Sequence, residues 1–138
     1  MNMASKATQA FFDSEGIKYE LLNEDTGLIR LGFTMENKDS LSIFLDFSAD
    51  GTSVSLVSFE IAKAPVEKKY KMFELCNSLN KRYKWVRFYY DEEKAMITAQ
   101  DDAVIQLDSC GEEIIRCCIQ MKHIVDEAYP EIMRAIFA

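Results

Sequence analysis

Four cysteines and one histidine are the side chains of this sequence best suited to metal binding or nucleophilic chemistry. The cysteines occupy positions 76, 110, 117 and 118, with no C-x-x-C pair among them. Cys117 and Cys118 are neighbours on a predicted helix, so their side chains point about 100° apart and do not easily share one ligand geometry. No spacing of these residues with His123 matches a zinc pattern. We interpret the cysteines as buried free thiols that pack as small hydrophobic groups, with zinc binding as the alternative.

The single histidine has Glu127 one helical turn further on, which is the arrangement of a general base and the group that orients it. A cysteine nucleophile would have to lie beside His123, and Cys117 is six positions away on the same predicted helix. The sequence also lacks the phosphate-binding glycine motifs, the nucleophile elbow and the zinc-protease motif. The carboxylate runs at 91–93 and 101–102 fall in predicted turns. We predict no enzyme activity, no metal and no cofactor.

A more unusual combination is the stretch CNSLNKRYKWVRFYYD at positions 76–91, where a predicted helix runs into an aromatic and basic strand. Asn77 and Asn80 lie one turn apart on one face of that helix. We predict that both are structural. Asn80 would stop the helix, since asparagine tolerates left-handed backbone, and Asn77 would bond the backbone of the connection that follows. Contact with a partner protein is the alternative. The predicted interaction surface comprises Asn77, Asn80, Lys81, Arg82, Trp85, Arg87 and Tyr89.

The charge of the chain is unevenly distributed. The net charge is −7, which argues against nucleic acid as a general partner. Positions 63–87 contain eight lysines and arginines but only two glutamates, a charge of +6, so the remaining chain carries −13. This basic segment is either a solvated helix face or a surface for an acidic partner, which includes the acidic face of a second copy.

Alternation of apolar and polar residues positions these side chains on predicted antiparallel strands joined by short turns. The predicted strands span 19–22, 29–36, 41–47, 54–61, 86–90 and 95–99. Asp50-Gly51 is a strong hairpin signal. The apolar positions change parity between Leu56 and Val57, which predicts a bulge or burial on both faces there.

Three helices are predicted around these strands. They span positions 5–15, about 65–82, and the region from Ser109 onwards. Ser5 is the predicted cap of the first helix and Gly16 its left-handed stop. Pro130 is predicted to interrupt the third helix, because Tyr129 before a proline is pushed out of helical geometry. The last residues would then form a separate turn or a kinked continuation, docked either on this domain or on a neighbour.

The order α, β-meander, α, β-hairpin, α predicts an α+β fold. Its antiparallel sheet, a three-stranded meander plus a hairpin, would be accompanied by N-terminal, middle and C-terminal helices that cover one face. The other face would carry Phe44, Trp85 and Tyr89, which makes it more apolar than a solvated sheet face. Such a face is an interface or is covered by another element of the same chain.

The segment APVEKKYKMFELCNSLNKRYKWVRFYYDEEKAMITAQDDAV resembles the YbjN-like family, labelled as bacterial sensory transduction regulators. The shared features are a proline-led helix that ends in N-x-x-N at positions 77–80, an aromatic and basic strand, and a hairpin returning through ITAQDD. The tail VDEAYPEIMRAI also looks like the C-terminal helix of the family. The resemblance extends from about Gly16 onwards. It implies a fold similar to that of type III secretion chaperones, which often form dimers and bind other proteins, and it supplies no catalytic residues.

We predict from these features that positions 1–138 form a single domain. No apolar run is long enough to span a bilayer and the N-terminus lacks a signal-peptide core, so we expect a cytoplasmic protein. The predicted function is a non-enzymatic protein-interaction or regulatory module, chaperone-like and dimeric, with another protein or itself as partner and neither nucleic acid nor membrane. A sensor domain that binds a small molecule between sheet and helices is the alternative, and an enzyme of unrecognised type is the third.

Overall fold

The computed structural model describes residues 1–138 and contains a six-stranded antiparallel sheet with helices packed on one face. The helices are α1 (Met3–Glu15), α2 (Lys69–Arg82) and α3 (Cys110–Phe137), and a 3₁₀ turn (Val66–Lys68) precedes α2. The strands are β1 (Glu20–Leu21), β2 (Ile29–Thr34), β3 (Ser40–Phe47), β4 (Ser53–Lys63), β5 (Arg87–Asp91) and β6 (Met96–Val104). The predicted α+β architecture and the predicted order of elements are confirmed.

The strands are arranged in the order β1-β2-β3-β4-β6-β5, and each pairs antiparallel with its neighbours. The meander β2–β4 is joined to the β5–β6 hairpin by the long pairing of β4 with β6. This order leaves β5 at one edge of the sheet, where α2 runs beside it.

Strand register separates a core face from an open face. Ile29, Leu45, Leu56 and Asp101 lie opposite one another in four successive strands and are all buried under the helices. The corresponding row on the other face comprises Arg30, Phe44, Val57, Gln100 and Arg87. The α3 residues Ile114, Cys118, Met121, Val125, Ala128, Ile132 and Ile136 complete the core.

Strand β6 is longer than the sequence predicts. The return strand was expected to end at Ala99, with Asp101 and Asp102 in a turn, but β6 continues to Val104. The extension of β6 results from its pairing with β4, in which Leu56 pairs with Asp101 and Ser53 with Val104. The extension carries the carboxyl of Asp101 into the core face and that of Asp102 onto the open face.

The change of apolar parity predicted a bulge or burial on both faces at Leu56 and Val57. Both residues are buried, and a bulge lies further along β4, between Ser58 and Ala62. Ser58 pairs with Ala99 and Ala62 with Ile97, so three β4 residues stand opposite Thr98 alone. The hydroxyl of Thr98 donates to the freed carbonyl of Phe59 at 3.0 Å. Because a bulge bends its strand, β4 diverges from β3 here, and their pairing ends at Phe44 and Val57.

Helix α1 begins earlier than predicted. Asn2 is its N-cap and accepts a hydrogen bond from the backbone N–H of Ser5 at 3.1 Å. Ser5 is therefore inside the helix, where its hydroxyl donates to the carbonyl of Gly27 at 2.7 Å. Gly16 ends the helix with a φ of 69°, which confirms the predicted left-handed stop.

Helix α3 continues through Pro130, so the predicted interruption is wrong. A proline at this position leaves the carbonyl of Asp126 without its helical N–H partner. The side chain of Asn37, in the turn between β2 and β3, donates to this carbonyl at 2.9 Å. In return, the Asp126 carboxylate accepts the backbone N–H groups of Glu36 and Asn37 at 3.0 and 2.7 Å.

Packing also favours the continuous helix. Ile132 and Ile136 follow Pro130 in phase with the apolar stripe and are buried in the core of their own domain. Burial of two isoleucine side chains contributes about 3–6 kcal/mol, which is enough to offset the roughly 3 kcal/mol that a proline costs inside a helix. The C-terminal segment therefore docks on its own domain.

Candidate interaction surface

Asn80 binds the backbone of the edge strand β5. Its carboxamide oxygen accepts the N–H of Phe88 at 2.7 Å, and its amide nitrogen donates to the carbonyl of Phe88 at 3.1 Å. These two bonds reproduce the pair that a neighbouring strand would make, so one residue of α2 covers part of an edge that would otherwise be open.

The predicted role of Asn80 as a helix stop is wrong, although the prediction of a structural role agrees with these bonds. The helix ends at Arg82 as predicted, and its C-cap residue Tyr83 has extended backbone. The left-handed residue is Trp85, with a φ of 74°. Asn77 is exposed and makes no side-chain hydrogen bond, so the expected bond to the connection does not form.

Part of the basic segment is paired with the acidic remainder of the same chain. One guanidinium nitrogen of Arg82 lies 2.8 and 2.9 Å from the carboxylate oxygens of Glu131 on α3. The hydroxyl of Tyr83 donates to Glu127 at 2.8 Å. Lys68 donates to the carbonyl of Ile136 near the end of α3. These bonds hold α2 against α3, so these basic side chains are less available to another molecule.

Arg87 and Tyr89 point to the open face of the sheet. Arg87 donates to Asp102 at 2.7 Å, and Asp102 also accepts bonds from Ser55 at 2.7 Å and Gln100 at 3.0 Å. Partial burial alone would raise the pKa of Asp102, but these three hydrogen bonds outweigh it and lower the pKa to about 2. Tyr89 donates to Gln100 at 3.3 Å. The network fixes a charged, ordered patch on this face.

No element of the chain covers the aromatic residues predicted for the open face. Trp85 is 68% exposed and Tyr89 37% exposed. Phe44 packs against Phe59, with 5.5 Å between the ring centroids. Trp85 is both exposed and held at a positive φ, which costs a bulky residue about 1–3 kcal/mol, and strain of this kind clusters at functional positions.

A second exposed aromatic group lies on α2. Tyr70, Phe73, Asn77 and Asn80 share one face of the helix, the face that runs beside β5. Tyr70 is 70% exposed and its ring centroid lies 5.9 Å from that of Phe73. Phe73 in turn packs edge-on against Tyr90 at 6.2 Å. The outer edge of β5 at Tyr90, together with Tyr70, Phe73 and Asn77, forms the β5 rim.

The seven residues of the predicted surface therefore lie on two sides of β5. Asn77 and Asn80 flank its outer edge, and Arg87 and Tyr89 lie on the open face. Lys81, Arg82 and Trp85 occupy the end of α2 and the connection to β5. Sequence reasoning missed Tyr70 and Phe73, whose i, i+3 spacing on the same helix face as Asn77 was the available signal.

The groups considered first for chemistry are not assembled into a catalytic arrangement. Cys76, Cys110 and Cys118 are buried and Cys117 is half-buried. Burial raises the pKa of Cys76 to about 11 and also raises that of Cys118, so both are thiols rather than reactive thiolates at neutral pH. Glu127 accepts its hydrogen bond from Tyr83 and not from His123.

A sequence model of the YbjN family, described as "Putative bacterial sensory transduction regulator", matches residues 9–134. The chain belongs to the YbjN family. The resemblance seen in the sequence is thereby confirmed. No curated protein matches the chain.

Two solved structures share the fold of this YbjN family member. The crystal structure of E. coli YbjN is 10% identical, with a TM-score of 0.64 over 91% of each chain. A chain of the crystal structure of the ExsC–ExsE complex is 15% identical, with a TM-score of 0.54 over 92% of this chain and 96% of that one. The predicted likeness to the fold of a secretion chaperone is confirmed. None of the helices is long and apolar enough to cross a membrane.

Proposed function

We propose that this chain is a non-enzymatic protein-interaction module that forms a homodimer through the β5 rim and binds a partner protein on its open sheet face. The observation that carries the proposal is the outer edge of β5, where Asn80 bonds the backbone of Phe88 and no side chain bonds the backbone of Tyr90, a residue that is itself 7% exposed. The YbjN family description and the fold shared with a chain of the ExsC–ExsE complex support a role in regulation through another protein.

The backbone N–H and C=O groups of successive residues in a strand point to opposite edges, which shows where those of Tyr90 point. The N–H and C=O of Phe88 point outward to Asn80, so those of Tyr90, two residues further on, point to the same edge. Unpaired edge groups are ready to pair with another strand. Two copies related by a two-fold axis at Tyr90 could each donate and accept one hydrogen bond there.

The aromatic face of α2 supplies apolar contact beside this edge. Tyr70 and Phe73 are exposed, and aromatic residues are enriched at protein interfaces because they bury a large area with few rotatable bonds. A homodimer interface must be self-complementary, and a two-fold axis beside α2 would bring the two aromatic pairs close to one another.

The open sheet face remains available in such a dimer. Its ordered patch of Arg87, Asp102 and Tyr89, with Trp85 at its border, combines fixed hydrogen-bonding groups with aromatic surface. Arginine, tyrosine and tryptophan are the residues that most often dominate binding energy. The proposal gives this face a protein partner and no nucleic acid, in keeping with the net charge of −7. It places the protein in the cytoplasm, where free thiols such as these persist.

Light scattering after size-exclusion chromatography tests the dimer. The wild-type chain of 15.9 kDa should elute with twice that mass. Tyr70→Glu should elute as a monomer, because it introduces a charge into the interface. Ile119→Glu is the matched control, since Ile119 is also exposed on a helix but lies on α3, and it should remain a dimer. A monomeric wild type at about 100 µM would overturn the dimer.

Affinity capture from a lysate of the source bacterium, quantified by mass spectrometry, tests the open face. A protein retained by the wild type and by Ile119→Glu should be lost with Tyr89→Ala. Tyr89→Ala should keep the wild-type circular dichroism spectrum and remain a dimer. Equal retention of every captured protein by Tyr89→Ala would contradict the assignment of this face to a partner.

A further inference from the structure

The open face of the sheet contains a cavity of about 390 Å³ where β3 and β4 diverge beside the β4 bulge. Ser58 and Leu41, which belong to the core-facing rows, reach this cavity through the gap, and Phe44 and Phe59 form its aromatic wall. A volume of this size is within the range of small-molecule sites. The cavity shares no residue with the β5 rim.

The unusual group in the cavity is the hydroxyl of Ser58. The residue is only 3% exposed and its hydroxyl makes no hydrogen bond with the chain, but no fully buried polar side-chain atom lacks a partner, so this hydroxyl retains contact with the solvent in the cavity. This hydroxyl therefore has no partner in the chain and remains free to bond a molecule in the cavity. The other two serines of the cavity do not supply a partner. Ser42 accepts a bond from Arg30 at 3.1 Å, and the backbone carbonyl of Ser40 accepts one from Lys38 at 3.0 Å.

The charges at the cavity are mainly positive. Lys38 and Lys94 line it together with a single acidic residue, Glu60. The ammonium of Lys94 lies 5.0 Å from the centroid of the Phe59 ring, so its charge is held directly over the aromatic wall. A local excess of positive charge on a protein with a net charge of −7 favours an anion at this place.

We propose that this cavity binds a small aromatic anion, a carboxylate or a phosphate ester, with its ring against Phe44 and Phe59, its charge near Lys38 and Lys94, and a polar atom bonded to Ser58. The three interactions match the three kinds of group in the cavity. A flat ring stacks on aromatic side chains, and an oxyanion attracts ammonium groups. A carboxylate oxygen or a phosphate oxygen can accept a hydrogen bond from the serine hydroxyl. The site would add small-molecule sensing to the protein-interaction role without depending on it.

Titration of ¹⁵N-labelled protein with benzoate and with phenyl phosphate tests the site by backbone amide shifts. Benzamide, which keeps the ring but has no charge, and inorganic phosphate, which keeps the charge but has no ring, are the comparison probes. The two aromatic anions should shift the amides of residues 40–44 and 58–60, with dissociation constants in the millimolar range expected for probes this small. Benzamide and inorganic phosphate should bind more weakly.

Two variants and one control separate this site from general attraction of anions. Ser58→Ala should weaken benzoate binding about two- to tenfold without lowering thermal stability, because the hydroxyl it removes is unpaired in the chain. Lys94→Gln should weaken it about threefold. Lys71→Gln, which removes an exposed lysine on α2, should leave it unchanged.

Four results would overturn the proposal. The first is the absence of localised shifts with both aromatic anions at 20-fold excess over about 1 mM protein, and the second is equal binding of benzamide and benzoate. The third is wild-type affinity for benzoate in Ser58→Ala. The fourth is an equal loss of benzoate affinity in Lys71→Gln and Lys94→Gln. A short acidic peptide that shifts the same amides at far lower concentration than either probe would also overturn it, since the cavity would then belong to a protein partner.

Discussion

Replacement of Asn80 by alanine should destabilise the protein through the edge of β5. The variant loses two hydrogen bonds to Phe88, at 2.7 and 3.1 Å, each with a net contribution of about 1 kcal/mol. The higher helix propensity of alanine offsets about 0.6 kcal/mol of this loss in the free energy of unfolding. The expected net loss in free energy of unfolding is therefore about 1.4 kcal/mol.

Asn77→Ala is a matched control for this variant. The substitution is the same, it lies one turn away on the same helix, and Asn77 makes no hydrogen bond. With both variants measured in a Tyr70→Glu background, where Asn77 no longer contacts a second copy, helix propensity alone should raise the free energy of unfolding by about 0.6 kcal/mol. The two variants should differ by about 2 kcal/mol, and the contribution of helix propensity cancels in the comparison.

Asn80→Asp distinguishes the contributions of the two hydrogen bonds to stability. A carboxylate can still accept the N–H of Phe88, but it has no proton to donate to the carbonyl, and its second oxygen would face that carbonyl oxygen. This variant should be at least as unstable as Asn80→Ala at neutral pH. It should recover part of the loss below about pH 4, where the carboxyl becomes protonated.

Urea unfolding followed by circular dichroism, at one fixed protein concentration, measures these differences. The reasoning is refuted if Asn80→Ala and Asn77→Ala have the same free energy of unfolding within about 0.3 kcal/mol. An exposed strand edge also favours association, so Asn80→Ala should aggregate at lower concentration than the control.

Three further variants test other parts of the structure. Asn37→Ala should lower the free energy of unfolding by about 1 kcal/mol in the wild type, because it removes the bond to the Asp126 carbonyl. In a Pro130→Ala background a restored backbone N–H can bond this carbonyl, so the loss should be less than half as large. Equal losses in a double-mutant cycle of urea unfolding would show that Asn37 does not stabilise the protein through this carbonyl. Burial, and secondarily the charge of its neighbour, raises the pKa of Asp101 to about 6, so the folded state should lose stability as the pH rises from about 4 to 6. Asp101→Asn should remove this slope and raise the free energy of unfolding at pH 7 by up to about 3 kcal/mol, and an unchanged slope in denaturation curves across that range would contradict the assignment. Trp85→Gly should be more stable than Trp85→Ala by about 1 kcal/mol, since only glycine relieves the strain of a positive φ, and equal thermal midpoints would show that no strain is stored there.

The sequence was sufficient to predict the fold class and the order of the elements along the chain, because the signals for single elements are local. Alternating apolar residues identified the strands, and the spacing of apolar residues identified the helices. Gly16 ended α1 as predicted, since a left-handed stop needs only the residue itself and its immediate neighbours. The parity change in β4 indicated a bulge or burial on both faces, although the position of the bulge depends on the pairing with β6.

The errors occur where a distant residue supplies the missing interaction. Pro130 would break an isolated helix, but Asn37 bonds the carbonyl that it leaves unpaired. Asp101 reads as part of a turn until Leu56 pairs with it in the sheet. Asn80 looks like a helix stop because its partner, Phe88, is brought beside it only when β5 folds back along α2.

The candidate surface was predicted only in part for the same reason. A sequence can show that Trp85, Arg87 and Tyr89 are unusual for a solvated strand. It does not show that Asn77 lies beside the outer edge of β5 while Tyr89 lies on the open face of the sheet. The cavity at Ser58 had no sequence signal. It arises because two strands diverge, which a linear pattern does not contain.

Amide hydrogen exchange at Tyr90 tests the central claim most directly. In a monomer its N–H lies on the outer edge of β5 without a hydrogen bond and should exchange faster than that of Phe88, and in the proposed dimer it is paired with the second copy. The N–H of Phe88 is the internal reference, because Asn80 bonds it in either state. The account predicts that protection of Tyr90 rises with protein concentration in the wild type and not in Tyr70→Glu, while that of Phe88 stays nearly constant. Protection of Tyr90 that is independent of concentration and identical in Tyr70→Glu would contradict it.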